Sequence, residues 1–184
     1  TILALISAAN VIEANFQVSL MAPTEILALQ HYELAKKMFS STKIKIELLT
    51  GKTETKEKKR IIQDLANGNI NFIIGTHSLF QKKIVYKKLG FIIIDEQHKF
   101  GVKQRISLAK KGGVNCDILS MSATPIPRTM MLSNFGDMDV SLLKEKPNNR
   151  KDIITLAKPE SKINELWPLI KKEILLLKNI NPLL

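Results

Sequence analysis

Four short segments hold apolar residues on both sides of the alternation that a strand imposes: 17-QVSLMAP-23, 70-INFIIGT-76, 90-GFIIIDE-96 and 117-DILSMSAT-124. Successive strand residues face opposite ways. A strand with one wet face reads apolar–polar–apolar, whereas an unbroken apolar run must be covered on both faces. The segments between them read as helices. Residues 1–14 place Leu3, Ile6, Ala9 and Ile12 at helical spacing. Residues 25–39 do the same with Ile26, Leu29, Leu34 and Met38, and Thr24 can cap that helix. A strand over 43–49 and a helix over 55–67 ending at Gly68 follow, and further helices are expected near 102–111 and 126–135. Strand alternates with helix, which predicts an α/β fold: a mostly parallel sheet with helices on both faces.

The pattern breaks at 144-KEKPNNRKD-152, a charged segment with no apolar residue. It predicts one domain over 1–143, a linker over 144–152, and the start of a second domain over 153–184. In that last stretch 153-IITLA-157 reads as a strand and 160–178 as a helix with Ile163, Leu166, Ile170 and Ile174 on one side.

Composition narrows the class of partner. Lys and Arg number 28 against 17 Asp and Glu, a formal charge of +11, which suits a polyanion such as nucleic acid. AT-rich coding would also enrich the chain in lysine. The lone cysteine, Cys116, excludes an internal disulfide and reads as a structural thiol in a reducing compartment. No apolar run approaches a membrane span of about 18 residues.

Two strand ends carry the chemistry. In 91-FIIIDEQH-98 an apolar strand delivers Asp95 and Glu96 to its carboxyl end, where open α/β sheets bind ligands. An Asp so placed can hold the Mg²⁺ that bridges nucleotide phosphates, and a neighbouring Glu can activate water. Adjacent strand residues face opposite ways, so the two can serve one site only if the strand ends there. In 120-SMSATPIPRT-129 a strand runs into the hydroxyls Ser122 and Thr124, which could bond groups on the neighbouring strand end. By contrast, 51-GKT-53 copies the tail of a phosphate loop, but Ile46 stands where that loop needs its first glycine. It reads as a strand end and a turn.

The string 95-DEQHKFGVKQR-105 with 122-SATPIPRT-129 resembles the RecG-like branch of the superfamily 2 helicases, as do 22-APTEILALQHY-32, 48-LLTGKT-53 and 74-IGTHSLFQ-81 in order. The resemblance implies a RecA-like P-loop NTPase domain, ATP and Mg²⁺ as cofactors, and branched or duplex DNA as partner. It implies a monomeric bacterial enzyme of the cytoplasm, associated with the nucleoid and not with membrane, that remodels stalled forks and Holliday junctions. Thr1 would be the last residue of the phosphate loop and, with Asp95, a Mg²⁺ ligand. Glu96, Gln97 and His98 would be catalytic, coupled to Ser122 and Thr124. Pro23, Thr24, Gly75 and Thr76 would touch the DNA backbone. This chain alone is expected to hydrolyse ATP no faster than background. Two alternatives stay open: a transcription-repair coupling translocase, and an inactive remnant that only binds nucleic acid.

Overall fold

The computed structural model describes residues 1–96, 99–100, 110–113, 116–123, 139–143, 155, 157 and 159–180. The chain divides into two compact units, Thr1–Gly136 and Asp137–Leu184.

In the first unit five described strands form one parallel sheet: β1 (Gln17–Met21), β2 (Ile46–Leu49), β3 (Phe72–Gly75), β4 (Leu89–Ile94) and β5 (Asp117–Ser120). Their order across the sheet is β2-β3-β1-β4-β5. Helices α1 (Ile2–Glu13), α2 (Glu25–Met38) and α3 (Thr55–Asn67) precede or connect the first three strands. α1 and α2 cover one face, over Val18, Leu20, Phe72, Ile74, Phe91 and Ile93. α3 and the segment carrying Leu79, Ile84 and Tyr86 cover the other, over Met21, Leu49, Ile73, Ile92 and Ile94. Alternate residues of β1, β3 and β4 thus enter opposite cores, as an apolar run on both faces requires.

Apart from Ile12, the helices bury different residues from those their apolar spacing suggested. α1 buries Ala4, Leu5, Ala8 and Ile12, leaving Leu3 and Ile6 exposed. α2 buries Ala28, His31 and Ala35, leaving Ile26, Leu29, Leu34 and Met38 exposed. Alanines let a helix axis approach a sheet closely; a large side chain there would hold it off. Because α1 is apolar almost all round, spacing alone does not select the buried stripe.

Local chemistry accounts for the helix ends. Thr24 caps α2 by accepting the Leu27 N–H at 3.3 Å. α3 ends at Gly68, with φ +81°, a conformation that favours glycine, and Asn69 N–H returns to Asp64 O at 2.8 Å. At the amino ends of the strands, the buried Gln17 amide joins three segments. Its Nε2 donates to Leu65 O and Ile70 O, at 2.9 and 2.8 Å. Its Oε1 accepts from Lys87 N and Lys88 N, at 2.8 and 3.0 Å. On the α3 side Ser19 and Tyr86 hydroxyls pair at 3.2 Å, and burial raises the Tyr86 phenol well above its ordinary pKa.

In the second unit a 3-10 turn at Glu160–Lys162 leads into α4 (Ile163–Ile180). Ile163, Ile170 and Ile174, expected to share one side, are each about half exposed. The expected helices near 102–111 and 126–135, and the linker over 144–152, lie largely or wholly outside the described residues.

Candidate functional site

Strand register sets the site. Leu49 pairs with Gly75, Gly75 with Met21, Met21 with Ile94, and Ile94 with Ser120. These five residues form one row across the sheet at its carboxyl edge. Backbone bonds stitch the row just beyond: Ala22 N–H to Gly75 O at 2.9 Å, Asp95 N–H to Met21 O at 2.9 Å, and Met121 N–H to Ile94 O at 2.8 Å. Whatever follows each strand is therefore delivered to one rim: Pro23 and Thr24, the 50–53 turn, Thr76, Asp95 and Glu96, and Ser122.

β4 stops at Ile94, one residue before the acids. Glu96 has φ +48°, a left-handed conformation that costs a non-glycine residue about 1–2 kcal/mol. The chain turns there, which releases Asp95 and Glu96 from the opposite-face geometry of a continuing strand. Asp95 is held at both carboxylate oxygens. Oδ1 accepts the Glu96 N–H at 3.0 Å, and Oδ2 lies 2.7 Å from His31 Nε2. The His31 hydrogen bond is the largest influence holding the Asp95 carboxyl below its usual pKa. Partial burial opposes it, while the charge of His31 and the Glu96 N–H add to it. Asp95 is thus an anion at neutral pH, and an anionic carboxylate only accepts, so the imidazole N–H is the donor. Thr1 directly precedes α1, the helix that leads into β1. Gln97, His98 and Thr124 lie outside the described residues.

His31 was not legible as a site residue. A lone histidine in a helix more often packs or faces solvent. The signal was its phase, since Ala28, His31 and Ala35 lie on one helical face and the two alanines mark that face as the close-packed one.

The remaining rim residues differ in access. Thr24 is exposed and Pro23 partly so, while Gly75 and Thr76 are buried and His77 beside them is exposed. Gly75 is forced by packing: a Cβ there would lie 2.2 Å from Leu49 O and 3.1 Å from Leu79 Cγ. The Thr76 hydroxyl, 1% exposed, has no hydrogen-bond partner among the described residues. The 51-GKT-53 turn bonds to itself: Thr53 Oγ1 accepts Thr50 N–H at 3.0 Å, and Thr50 Oγ1 accepts Lys52 N–H at 3.3 Å. Lys52 pairs with Glu25 of α2 at 3.3 Å. Those amides are turned inward on the turn, the opposite of a phosphate cradle.

A half-buried carboxylate with a free lone pair on each oxygen, at a parallel sheet's carboxyl rim, fits Mg²⁺. That ion keeps several waters and takes one or two carboxylates together with substrate phosphates. Among the described residues no group of three or more His, Cys, Asp and Glu is arranged to hold a metal by itself.

Residues 1–132 match the DEAD/DEAH box helicase family. The chain belongs to that family. Like other DEAD/DEAH box helicases, it carries a RecA-like motor fold, and nucleotide use goes with the family. The ATP-dependent DNA helicase RecG of Thermotoga maritima is 45% identical over 175 residues, which cover 95% of this chain and 22% of the relative. RecG of Aquifex aeolicus is 43% identical over 175 residues, with the same shares. A solved structure of RecG bound to a three-way DNA junction is 40% identical, with a TM-score of 0.80, covering 95% of this chain and 23% of that one. The chain therefore spans about a fifth of the length of the curated relatives it matches. No described helix is long and apolar enough to cross a membrane.

Proposed function

We propose that this chain is the first motor domain of a RecG-like, ATP-dependent DNA helicase that remodels branched DNA in recombination and repair. The observation that supports this most directly is the shared rim. One row of strand ends gathers the Asp95–Glu96 pair, the α2 start at Pro23–Thr24 and the β5 end.

Each residue then has a task. Asp95, with Thr1, would hold Mg²⁺, and that ion supplies charge neutralisation at the β- and γ-phosphates when bound. Glu96 orients and deprotonates the attacking water. The turn at Glu96 supports this, since it ends the opposite-face alternation of the strand directly after Asp95. Gln97 and His98 follow directly and, with Ser122 and Thr124 beyond the adjacent strand, relay the nucleotide's state. Thr24 and Pro23 lie at a helix start, where backbone N–H groups and hydroxyls suit phosphate oxygens and read no sequence. Gly75 and Thr76 form the buried floor beside them, positioning the backbone that DNA would meet.

The test is fluorescence anisotropy with a labelled three-way junction and a linear duplex of unrelated sequence. Binding should be measurable at low salt and indifferent to sequence, with log affinity falling linearly in log salt concentration. Absence of binding at low salt, or binding insensitive to salt, would overturn the DNA half of the reading. Replacing Thr24 by Glu should weaken binding to both DNAs alike.

A further inference from the structure

We propose that His31 is a positioning residue: it fixes the Asp95 carboxylate and ties it to the helix whose first turn carries the DNA-facing Pro23 and Thr24. The proposal rests on the reading of Asp95 as a Mg²⁺ ligand given above.

The geometry is specific. Asp95 has its main chain fixed by the sheet, through its N–H to Met21 O at 2.9 Å. One carboxylate oxygen is fixed locally, by the Glu96 N–H at 3.0 Å. The other is fixed from a different element, by His31 on α2 at 2.7 Å. With both oxygens pinned, the carboxylate cannot rotate about its last bond, and the lone pairs left for a cation and its waters keep one direction. His31 is 7% exposed, so water does not compete for the bond.

The same bond spans two functions. Thr24 begins α2, and His31 lies two helical turns on, along a continuous ladder that opens with Ala28 N–H to Thr24 O at 3.0 Å. On this face α2 otherwise buries Ala28 and Ala35, whose methyl contacts allow sliding against the sheet. A hydrogen bond does not: it weakens steeply as distance and angle change. A shift of the α2 start is therefore transmitted to the Asp95 carboxylate through His31. A leucine here would fill the space more cheaply than a buried imidazole, since a buried polar group costs free energy unless it is bonded.

The test uses the full 184-residue chain and Mn²⁺ in place of Mg²⁺, read as paramagnetic broadening of the Asp95 and Glu96 amide resonances. Wild type is compared with His31→Leu, His31→Asn, His31→Gln and Asp95→Asn, each checked for folding by urea denaturation. Asp95→Asn should abolish the effect. Loss of an outer partner of a metal ligand typically costs 10–100-fold in affinity, so His31→Leu should weaken Mn²⁺ binding at least about tenfold. His31→Asn is polar but too short to reach Oδ2 and should behave like Leu. His31→Gln places an amide N–H where Nε2 was and should recover binding to within about threefold of wild type. Should His31→Leu fail to fold, the Asn–Gln comparison decides. Equal affinity in these two, or in His31→Leu and wild type, while Asp95→Asn abolishes binding, overturns the role of His31 alone. Unchanged binding in Asp95→Asn overturns the reading of Asp95 and the proposal with it. For the link to DNA, duplex added at low salt should shift the ring ¹⁵N resonance of His31, and no shift overturns that part.

Discussion

Asp95 and Glu96 are neighbours in sequence and opposites in backbone demand. Asp95 continues from a strand whose every residue is buried; Glu96 takes φ +48° one step later. Strain of this kind persists where the surroundings impose it, and it gathers at functional sites. A β-branched residue tolerates this conformation worst. Glu96→Ile should destabilise the domain, since a β-branched side chain pays more than the about 1–2 kcal/mol that Glu96 already bears, and Glu96→Gly should match or exceed wild-type stability, both read from urea midpoints. The reverse order would show that the turn is not strained. Cys116 makes a second residue-scale case. Burial, helped by the adjacent Asp117 charge, pushes its thiol up to about 11. The thiolate is the reactive form. Iodoacetamide should therefore label Cys116 roughly a hundredfold more slowly than free cysteine at pH 8, with the rate climbing until pH passes 11. Labelling as fast as the free amino acid would place the thiol in water.

At the scale of elements, the amide of Gln17 does what no main-chain ladder can. It joins β1, the end of α3, the approach to β3 and the approach to β4 through four hydrogen bonds. Gln17→Leu fits by size but leaves two carbonyls and two N–H groups without those partners, so it should cost at least about 3 kcal/mol. A loss below about 1 kcal/mol would mean that other groups or water replace the amide. Gly75→Ala should cost as much or more, because its methyl would meet the Leu49 carbonyl, a backbone atom locked in the β2–β3 ladder. Elements were also what the sequence showed best. The apolar runs at 70–76 and 90–96 announced a two-faced sheet, and Gly68 announced the end of α3. The acids after 91-FIII-94 and the cap at Thr24 were legible for the same reason: each depends on local spacing. What escaped depends on distance. Which stripe of α1 and α2 is buried is decided by how near a helix can approach a sheet. That His31 meets Asp95, and that Gln17 meets four backbone groups, follows from crossings between segments far apart in the chain.

At the scale of the whole molecule, the order β2-β3-β1-β4-β5 also constrains how the chain can assemble. Of the described strands, β1 and β2 are made before the others and are not neighbours. β3 must insert between them, and β4 must then close the other side of β1, where Val18 pairs with Phe72 on one flank and Phe91 on the other. Such non-local pairing folds slowly, because loop closure precedes any gain from contact. When synthesis has passed Gly68 but not reached β3, neither β1 nor β2 has its described neighbour. Apolar strands in that state are exposed to pairing with other chains. In pulsed hydrogen exchange the amides of Val18 and Leu20 should gain protection together with those of Ile73 and Ile93. Earlier protection of β1 would mean that it first pairs with something other than its native neighbours. Among the described strands, the one that delivers Pro23 and Thr24 to the rim is thus the one that waits longest between its synthesis and the closing of both its flanks.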